Sequence, residues 1–139
     1  MKLASLKSSG RDGALAVVDR DLTKCALVPR IAHTMQQAIE TWSTAAPKLK
    51  AVYQHLNDGT AEHTEPFAPE RVESPLPRAY QFLDGSVYLS HMQKARKARG
   101  AEMPANFETE PLMYQGMSDG FIGPADDMVL PSDELGVLS

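Results

Sequence analysis

Two side chains whose types suit metal-assisted acid–base chemistry stand close together in the second half of the chain. Asp84 and His91 are seven positions apart. A carboxylate is a ligand for hard divalent cations, and imidazole exchanges protons near neutral pH. On one helix the two residues would lie on nearly one face, about 10 Å apart along the axis. That gap would hold a small substrate, with a metal at Asp84 and a base at His91.

The same pair also has a purely structural interpretation. Asp84 or Ser86 would cap a helix over Val87–Arg99 that Gly100 ends, and His91 would be an ordinary half-buried histidine. If Asp84 precedes the helix, the distance changes but the division of roles between metal ligand and base does not. Taken without its context, the pair favours the structural interpretation.

The elements around this pair are short. A short extended segment is expected over Arg78–Leu83, before the helix. After Gly100, apolar runs separated by Pro and Gly predict strands of a sheet whose other strands are not apparent. These runs are Leu112–Tyr114, Phe121–Ile122 and Met128–Leu130. We expect residues 100–139 to expose apolar strands, to be disordered or to pair with another copy, as in a homodimer.

The first half of the chain predicts a small β-rich domain with two helices. A Gly-bearing polar loop joins apolar runs at Met1–Lys7 and Ala14–Val18, which predicts a hairpin, and Lys24–Val28 reads as a third strand. Met35, Ile39 and Trp42 have helical spacing behind the N-cap Thr34, and Pro47 suits the first turn of a second helix. The second apolar stripe is Leu49, Val52, Tyr53 and Leu56, and Asp58-Gly59 supplies its stop.

Four prolines between Thr60 and Pro77 indicate an extended crossing, so we place the domain boundary near Val72. The chain then comprises a domain at 1–72 and a second at 73–139. His55, Asp58, Glu62, His63 and Glu65 match no metal-ligand spacing, and a solvated polar loop is the simpler interpretation.

Composition limits the partners and the compartment. Residues 1–99 hold fourteen Lys and Arg against ten Asp and Glu, and residues 100–139 hold eight acids and no base. The acidic second stretch argues against nucleic acid, so we interpret Lys94–Arg99 as a solvated basic face. Cys25 is expected in the core, and no apolar run has membrane-spanning length. We therefore expect a cytoplasmic protein without a membrane partner.

A string of short motifs runs through the second half of the chain. The motifs are Leu76-Pro-Arg-Ala-Tyr80, Asp84-Gly-Ser86, His91, Arg96-Lys-Ala-Arg-Gly-Ala-Glu-Met-Pro104, Pro111-Leu-Met-Tyr114 and Phe121-Ile-Gly-Pro124. Together they are similar to the opening of the catalytic domain in the fumarylacetoacetate hydrolase family. The first half of the chain resembles the small amino-terminal domain that precedes it in some bacterial members. The resemblance implies an α+β fold, in which the small domain is followed by the start of a mixed β-roll.

The resemblance also implies a reaction. Members of this family hydrolyse a carbon–carbon bond in a β-diketo acid of the acylpyruvate type, in the catabolism of aromatic compounds or amino acids. Mg²⁺ or Ca²⁺ binds the diketo oxygens, and a histidine assisted by a glutamate activates the attacking water. Carried over by position, Asp84 is a metal ligand, His91 is the water-activating base and Tyr114 contacts the substrate. An inward-packing strand residue is an equal reading of Tyr114.

The chain departs from the family pattern at several positions. Ser86 replaces a substrate-binding tyrosine, and Arg99 lies one position away from the substrate arginine, whose register falls on Gly100. Short acylpyruvase-type members have a glutamate where this chain has Lys94. The substrate and the source of the helper glutamate therefore stay open.

The family's Glu-x-Glu metal pair is expected after the last apolar run. Asp133 and Glu134 are adjacent and do not reproduce that alternation. One aspartate holds Mg²⁺ or Ca²⁺ weakly, so we expect weak or no metal binding and an inactive polypeptide. The alternative is a non-catalytic binding or interaction module derived from the family.

Overall fold

The computed structural model describes residues 1–129 and 132 of the chain. The chain divides into two compact units, of which the first combines Met1–Arg78 with the stretch that begins at Phe121. The second unit is Ala79–Gly120. The chain thus passes from the first unit to the second after Arg78, shortly beyond the boundary predicted at Val72.

The first unit is built on a four-stranded antiparallel sheet in the order β1-β2-β3-β4. The strands are β1 (Lys2–Leu6), β2 (Ala14–Val18), β3 (Lys24–Leu27) and β4 (Glu65–Pro66). The predicted hairpin and third strand are confirmed. The fourth strand comes from the proline-containing stretch, whose Val72 also bridges Leu6 at the outer edge of β1. That stretch is therefore partly built into the sheet.

Both faces of this sheet are apolar, because residues along β2 alternate between two clusters. Leu15 and Val17 pack with the helices, whereas Ala16 and Val18 pack on the opposite face with Cys25. Cys25 is 1% exposed, which confirms the core position expected for it, and burial raises the pKa of its thiol. Alternation of side chains along a strand explains why one strand serves two cores.

Two helices cover the first of these faces. They are α1 (Met35–Glu40) and α2 (Trp42–Asp58). The predicted caps are confirmed: the Thr34 hydroxyl accepts a hydrogen bond from the Gln37 N–H at 3.2 Å, and Gly59 ends α2 with a φ of 74°. The left-handed conformation at Gly59 is the one that glycine adopts without steric cost.

The predicted start of the second helix is wrong. The break falls at Thr41, and Pro47 lies inside α2 rather than in its first turn. Thr41 has a φ of −112° and a ψ of 29°, which are not helical values, so α1 ends there. Its hydroxyl donates to the Gln37 carbonyl, which the Thr41 N–H also bonds. Inside α2, Pro47 removes one backbone donor close to the exposed start of the helix.

The side chains that α1 and the start of α2 bury differ in part from those predicted. Met35 is buried as predicted, but Ile39 and Trp42 are 48% and 46% exposed. Trp42 begins a new helix after the break, so it no longer follows the helical phase of Met35. Ala38 takes the inner position in α1. The stripe of α2 is confirmed, since Leu49 and Leu56 are fully buried.

The returning stretch of the first unit contains no strand within the described residues. The strands predicted at Phe121–Ile122 and at Met128 and Val129 are therefore wrong, and Leu130 lies outside the described residues. The Phe121 N–H donates to the Pro77 carbonyl at 3.1 Å. The backbone here forms turns and side-chain hydrogen bonds in place of a ladder.

The second unit contains two strands and one helix. They are β5 (Phe82–Ser86), α3 (Leu89–Ala98) and β6 (Leu112–Gly116), and β5 and β6 pair antiparallel. The run at Leu112–Tyr114 is thus a strand as predicted. Together the two units make an α+β protein. In the described part of the chain, none of the helices has the length and apolar character that crossing a membrane requires.

A buried carboxylate shapes the loop between β2 and β3. Asp19 is 3% exposed, and its oxygens accept hydrogen bonds from the Thr23 N–H at 2.8 Å, the Thr23 hydroxyl at 2.7 Å and the Lys24 N–H at 3.1 Å. Burial alone would raise the pKa of this carboxyl, but these bonds outweigh it and hold the pKa below its ordinary value of 3.8. The ionised form is therefore the one that the loop stabilises.

Replacing Asp19 is expected to destabilise the first unit. Asp19→Ala leaves backbone donors without their acceptor, which costs about 1–3 kcal/mol in the free energy of unfolding. The measurement is urea denaturation, with Asp21→Ala, an exposed acid of the same loop, as the matched control. The control is expected to change stability by less than about 0.5 kcal/mol.

Asp19 also makes the stability of the first unit dependent on pH. Because the folded-state pKa of Asp19 lies below 3.8, its stabilisation is present above that pH and is lost as the pH falls through the folded-state value. The Asp19→Ala variant should therefore approach the stability of the parent protein in acid. An equal difference at pH 7 and in acid would contradict the assignment.

Candidate functional site

The strand β5 carries two of the predicted site residues on one face. Asp84 and Ser86 are two positions apart, so their side chains point to the same side of the strand. In the register with β6, Asp84 lies opposite Tyr114 and Ser86 lies opposite Leu112. A strand pair therefore brings Asp84 and Tyr114 together although they are thirty positions apart in sequence.

The helix α3 supplies the remaining predicted residues. His91, Ala95 and Arg99 follow one another at four-residue spacing, so they share one side of the helix. Gly100 has a φ of 64° and donates its N–H to the Lys97 carbonyl, which confirms it as the residue that ends the helix. The basic residues of the last turn also suit the negative end of the helix dipole.

The helix and the two strands enclose a pocket of about 440 Å³. All five predicted site residues line it. The lining residues are Asp84, Ser86, His91, Met92, Ala95, Arg96, Arg99, Leu112 and Tyr114. The structure thus brings together every residue that the sequence nominated for chemistry.

The pocket forms in a different way from the one expected. Asp84 and His91 do not share a helix, because Asp84 lies in β5 and only His91 lies in α3. Neither Asp84 nor Ser86 caps the helix, which Tyr88 precedes without a side-chain cap. The two-turn separation of about 10 Å therefore does not apply, since it assumed helical geometry for both residues.

Exposure and charge differ across the pocket. Asp84, His91 and Arg99 are exposed, Ser86 and Arg96 are half-buried, and the Tyr114 side chain is 65% exposed. Tyr114 therefore does not pack its ring inward as a core residue. Water and small solutes can reach these polar groups.

Four lining residues were not nominated as site residues from the sequence, namely Met92, Ala95, Arg96 and Leu112, and Met92 and Arg96 bear most on the pocket. Met92 is 3% exposed and is the buried residue of α3, and Arg96 follows it four positions later. Arg96 Nη1 lies 3.5 Å from the Glu102 carbonyl oxygen, at the edge of hydrogen-bond distance. With Arg96 included, two guanidinium groups and one carboxylate, that of Asp84, line the pocket. The signal that could have found both residues is the four-residue spacing next to His91.

The residues described do not assemble a complete metal centre. Among residues 1–129 and 132, no group of three His, Cys, Asp or Glu side chains could hold an ion together. Asp84 is the single carboxylate of the pocket lining, and no glutamate lines it beside His91. In the first unit, His55 Nδ1 lies 2.9 Å from the Thr60 hydroxyl. Asp133 and Glu134 lie outside the described residues.

The architecture defines an α+β domain with a four-stranded sheet and two helices, followed by a strand–helix–strand unit that carries a polar pocket. Residues 1–78 match the family Fumarylacetoacetase N-terminal domain 2. The match covers more than half of the chain, so the chain belongs to this family. It ends at the same residue, Arg78, at which the chain leaves the first compact unit. No curated protein matches the chain.

The buried Met92 is expected to hold the pocket together. Met92→Ala removes the thioether chain that α3 buries, which should cost about 2–4 kcal/mol. In so small a unit this loss should open the strand pair, so the backbone amides of β5 and β6 are expected to exchange with deuterium much faster. The matched control is Met113→Ala, whose side chain is 59% exposed and should matter little. Equal protection in the two variants would contradict this role.

Proposed function

We propose that the pocket of the second unit is part of the active site of a fumarylacetoacetate-hydrolase-like enzyme. Its reaction would be hydrolysis of a carbon–carbon bond in a β-diketo acid of the acylpyruvate type, in the catabolism of aromatic compounds or amino acids. The observation that carries the proposal is the convergence of Asp84, Ser86, His91, Arg99 and Tyr114 on one pocket. Membership of the fumarylacetoacetase amino-terminal domain family supports the same class.

The volume and the lining suit a small organic anion. About 440 Å³ falls within the range of small-molecule sites, which is roughly 300–1,000 Å³. In our proposal Arg99 binds a carboxylate of the substrate through its fork of N–H donors. Ser86 and Tyr114 offer hydroxyl groups to the keto oxygens.

His91 is the proposed general base. Its imidazole is exposed on the pocket side of α3, so a water molecule can lie against it. Neutral imidazole accepts a proton from that water as the water attacks the carbonyl carbon of the substrate. Asp84, across from the helix on β5, is the proposed metal ligand, and Mg²⁺ or Ca²⁺ is the proposed ion.

The described residues do not fit such an ion by themselves. Ca²⁺ takes six to eight oxygen ligands, and Mg²⁺ is held by carboxylates, waters and substrate oxygens. The pocket lining offers one carboxylate, that of Asp84. We therefore propose weak binding by this chain and derive no catalytic step through the metal.

The lone carboxylate also favours a second candidate, a non-catalytic module that binds a small anion. The module and the enzyme share the two guanidinium groups of Arg96 and Arg99 but differ in what Asp84 does. In the module, replacing Asp84 leaves cation affinity unchanged. In the enzyme, Asp84 supplies whatever cation affinity the pocket has.

The deciding measurement is calorimetric titration of the chain with Mg²⁺ and Ca²⁺. We expect a dissociation constant of about 1 mM or weaker, at the weak end of protein calcium sites, and its loss in Asp84→Asn. Glu108→Gln removes an exposed acid of the same unit and is the matched control. Cation binding that is indifferent to Asp84 would exclude the metal-ligand role and favour the module.

A second measurement tests the substrate class and the base. An acylpyruvate is expected to perturb the NMR signals of His91 and Tyr114, because both line the pocket. The Arg99→Gln variant should lose most of this response, since it removes a bidentate carboxylate partner. Pyruvate serves as the short control ligand. An acylpyruvate that leaves both signals unchanged would contradict the proposal.

A further inference from the structure

The loop that joins β1 to β2, Lys7–Gly13, contacts two segments that are far away in sequence. One is the segment that leads out of the first unit, at Arg78, and the other is the segment that returns to it, at Asp126. All of these residues belong to the first unit. The loop therefore contacts the segment by which the chain leaves the first unit and the segment by which it returns.

The contact with the outgoing segment is a two-point ion pair. Arg78 Nε donates to one oxygen of Asp12 at 2.7 Å, and Arg78 Nη2 donates to the other at 2.5 Å. A guanidinium that faces a carboxylate in this way fixes orientation as well as distance. The hydrogen bond from Arg78 holds the pKa of Asp12 below its ordinary range.

The contact with the returning segment uses the opposite polarity. Lys7 Nζ donates to one oxygen of Asp126, and the Gly123 N–H donates to the other at 2.7 Å. The Asp126 carboxylate thus ties the loop to the turn of its own segment. The Phe121 N–H, two residues before Gly123, donates to the carbonyl oxygen of Pro77, which directly precedes Arg78.

The backbone of the returning segment lies very close to the first unit. A Cβ added at Gly123 would collide with the Val72 carbonyl oxygen. In the loop, Gly13 has a φ of 67°, and a Cβ there would lie 2.9 Å from the Leu6 carbonyl oxygen. Only glycine fits such a close approach of two backbones. The returning segment is therefore packed closely against the rest of the first unit and is not held by one charged side chain alone.

We propose that Lys7, Asp12, Arg78 and Asp126 form an ionic clasp that locks the outgoing and returning segments of the first unit, and that salt or acid opens it. The proposal does not depend on the chemistry proposed for the pocket. Its two arms have opposite polarity, so an exchange of the two segments would place Arg78 beside Lys7 and Asp126 beside Asp12. Like charges at that distance repel, so the arrangement selects one seating of the segments.

The charges around the clasp set its response to pH. Glu70 and Glu73 also face Lys7, and Arg11 also faces Asp12. The hydrogen bonds from Lys7 and then from the Gly123 N–H hold the pKa of Asp126 below its ordinary value of 3.8. The Lys7–Asp126 pair is therefore intact above pH 3.8 and is lost as the pH falls through the folded-state pKa of Asp126.

Amide hydrogen exchange of the full chain tests the clasp directly. The reporters are the N–H groups of Phe121, Gly123 and Asp126, each of which has a hydrogen-bond acceptor within the first unit. We expect Lys7→Glu to raise their exchange rates about two- to fivefold, the factor that an exposed ion pair of ordinary strength provides. Raising the ionic strength to 1 M should raise the rates of the parent protein in the same direction.

A charge-reversal variant distinguishes the loss of the clasp from a general loss of stability. The double variant Lys7→Glu/Asp126→Lys restores the pair with opposite polarity and should recover at least part of the lost protection at the Phe121 N–H. The Gly123 N–H is not a reporter in this variant, because it loses its Asp126 acceptor. The matched control is Arg71→Glu, because Arg71 is also an exposed cation of the first unit and its ion-pair partner is Glu65 rather than Asp126. Faster exchange in Arg71→Glu by the same factor would overturn the proposal. So would unchanged rates in Lys7→Glu, or a double variant as unprotected as the single one.

Discussion

The first unit depends on one constraint, which is that its small sheet must bury both of its faces. Every residue of β2 from Leu15 to Val18 is buried, with Leu15 and Val17 on one side and Ala16 and Val18 on the other. A helix pair covers only one side. The other side must be covered by chain without regular structure, and Phe67 and Val72 provide part of that cover. The irregular stretches of this unit are therefore part of its core rather than linkers.

Small residues make this cover possible. Ala4 and Ala16 lie opposite each other in the β1–β2 register on the face away from the helices. Because both side chains are small, they project little from the sheet at this place. Chain segments can then approach closely, and Val72 comes near enough to bridge Leu6. Close approach brings backbone carbonyls together with N–H groups, which explains why hydrogen bonds replace side-chain packing along this edge. It also explains the glycine at position 123, where even a methyl group would meet the Val72 carbonyl.

Local patterns predicted most of the elements but not their junctions. The β1–β2 hairpin, the cap at Thr34 and the stop at Gly59 follow from a few neighbouring residues, so sequence alone sufficed. The break at Thr41 was not predicted, because proline is the stronger local signal for a helix start and Pro47 is nearby. At Phe121 the apolar pair suggested a strand, but a strand needs a partner, and pairing is not a local property. Within the second unit, residue types and resemblance nominated the site, whereas the opposition of Asp84 and Tyr114 needed the strand register.

Family and chemistry rest on different parts of this molecule. The family match covers residues 1–78, whereas the pocket lies wholly within Ala79–Gly120. A domain family predicts a fold more securely than it predicts a reaction, because function belongs to the site. The case for a hydrolase therefore has to be made by the pocket residues themselves. They place one imidazole, two guanidinium groups and one carboxylate around a space of about 440 Å³. A single carboxylate is too little to define the cation, so Asp84 is the residue on which the choice between enzyme and binding module turns.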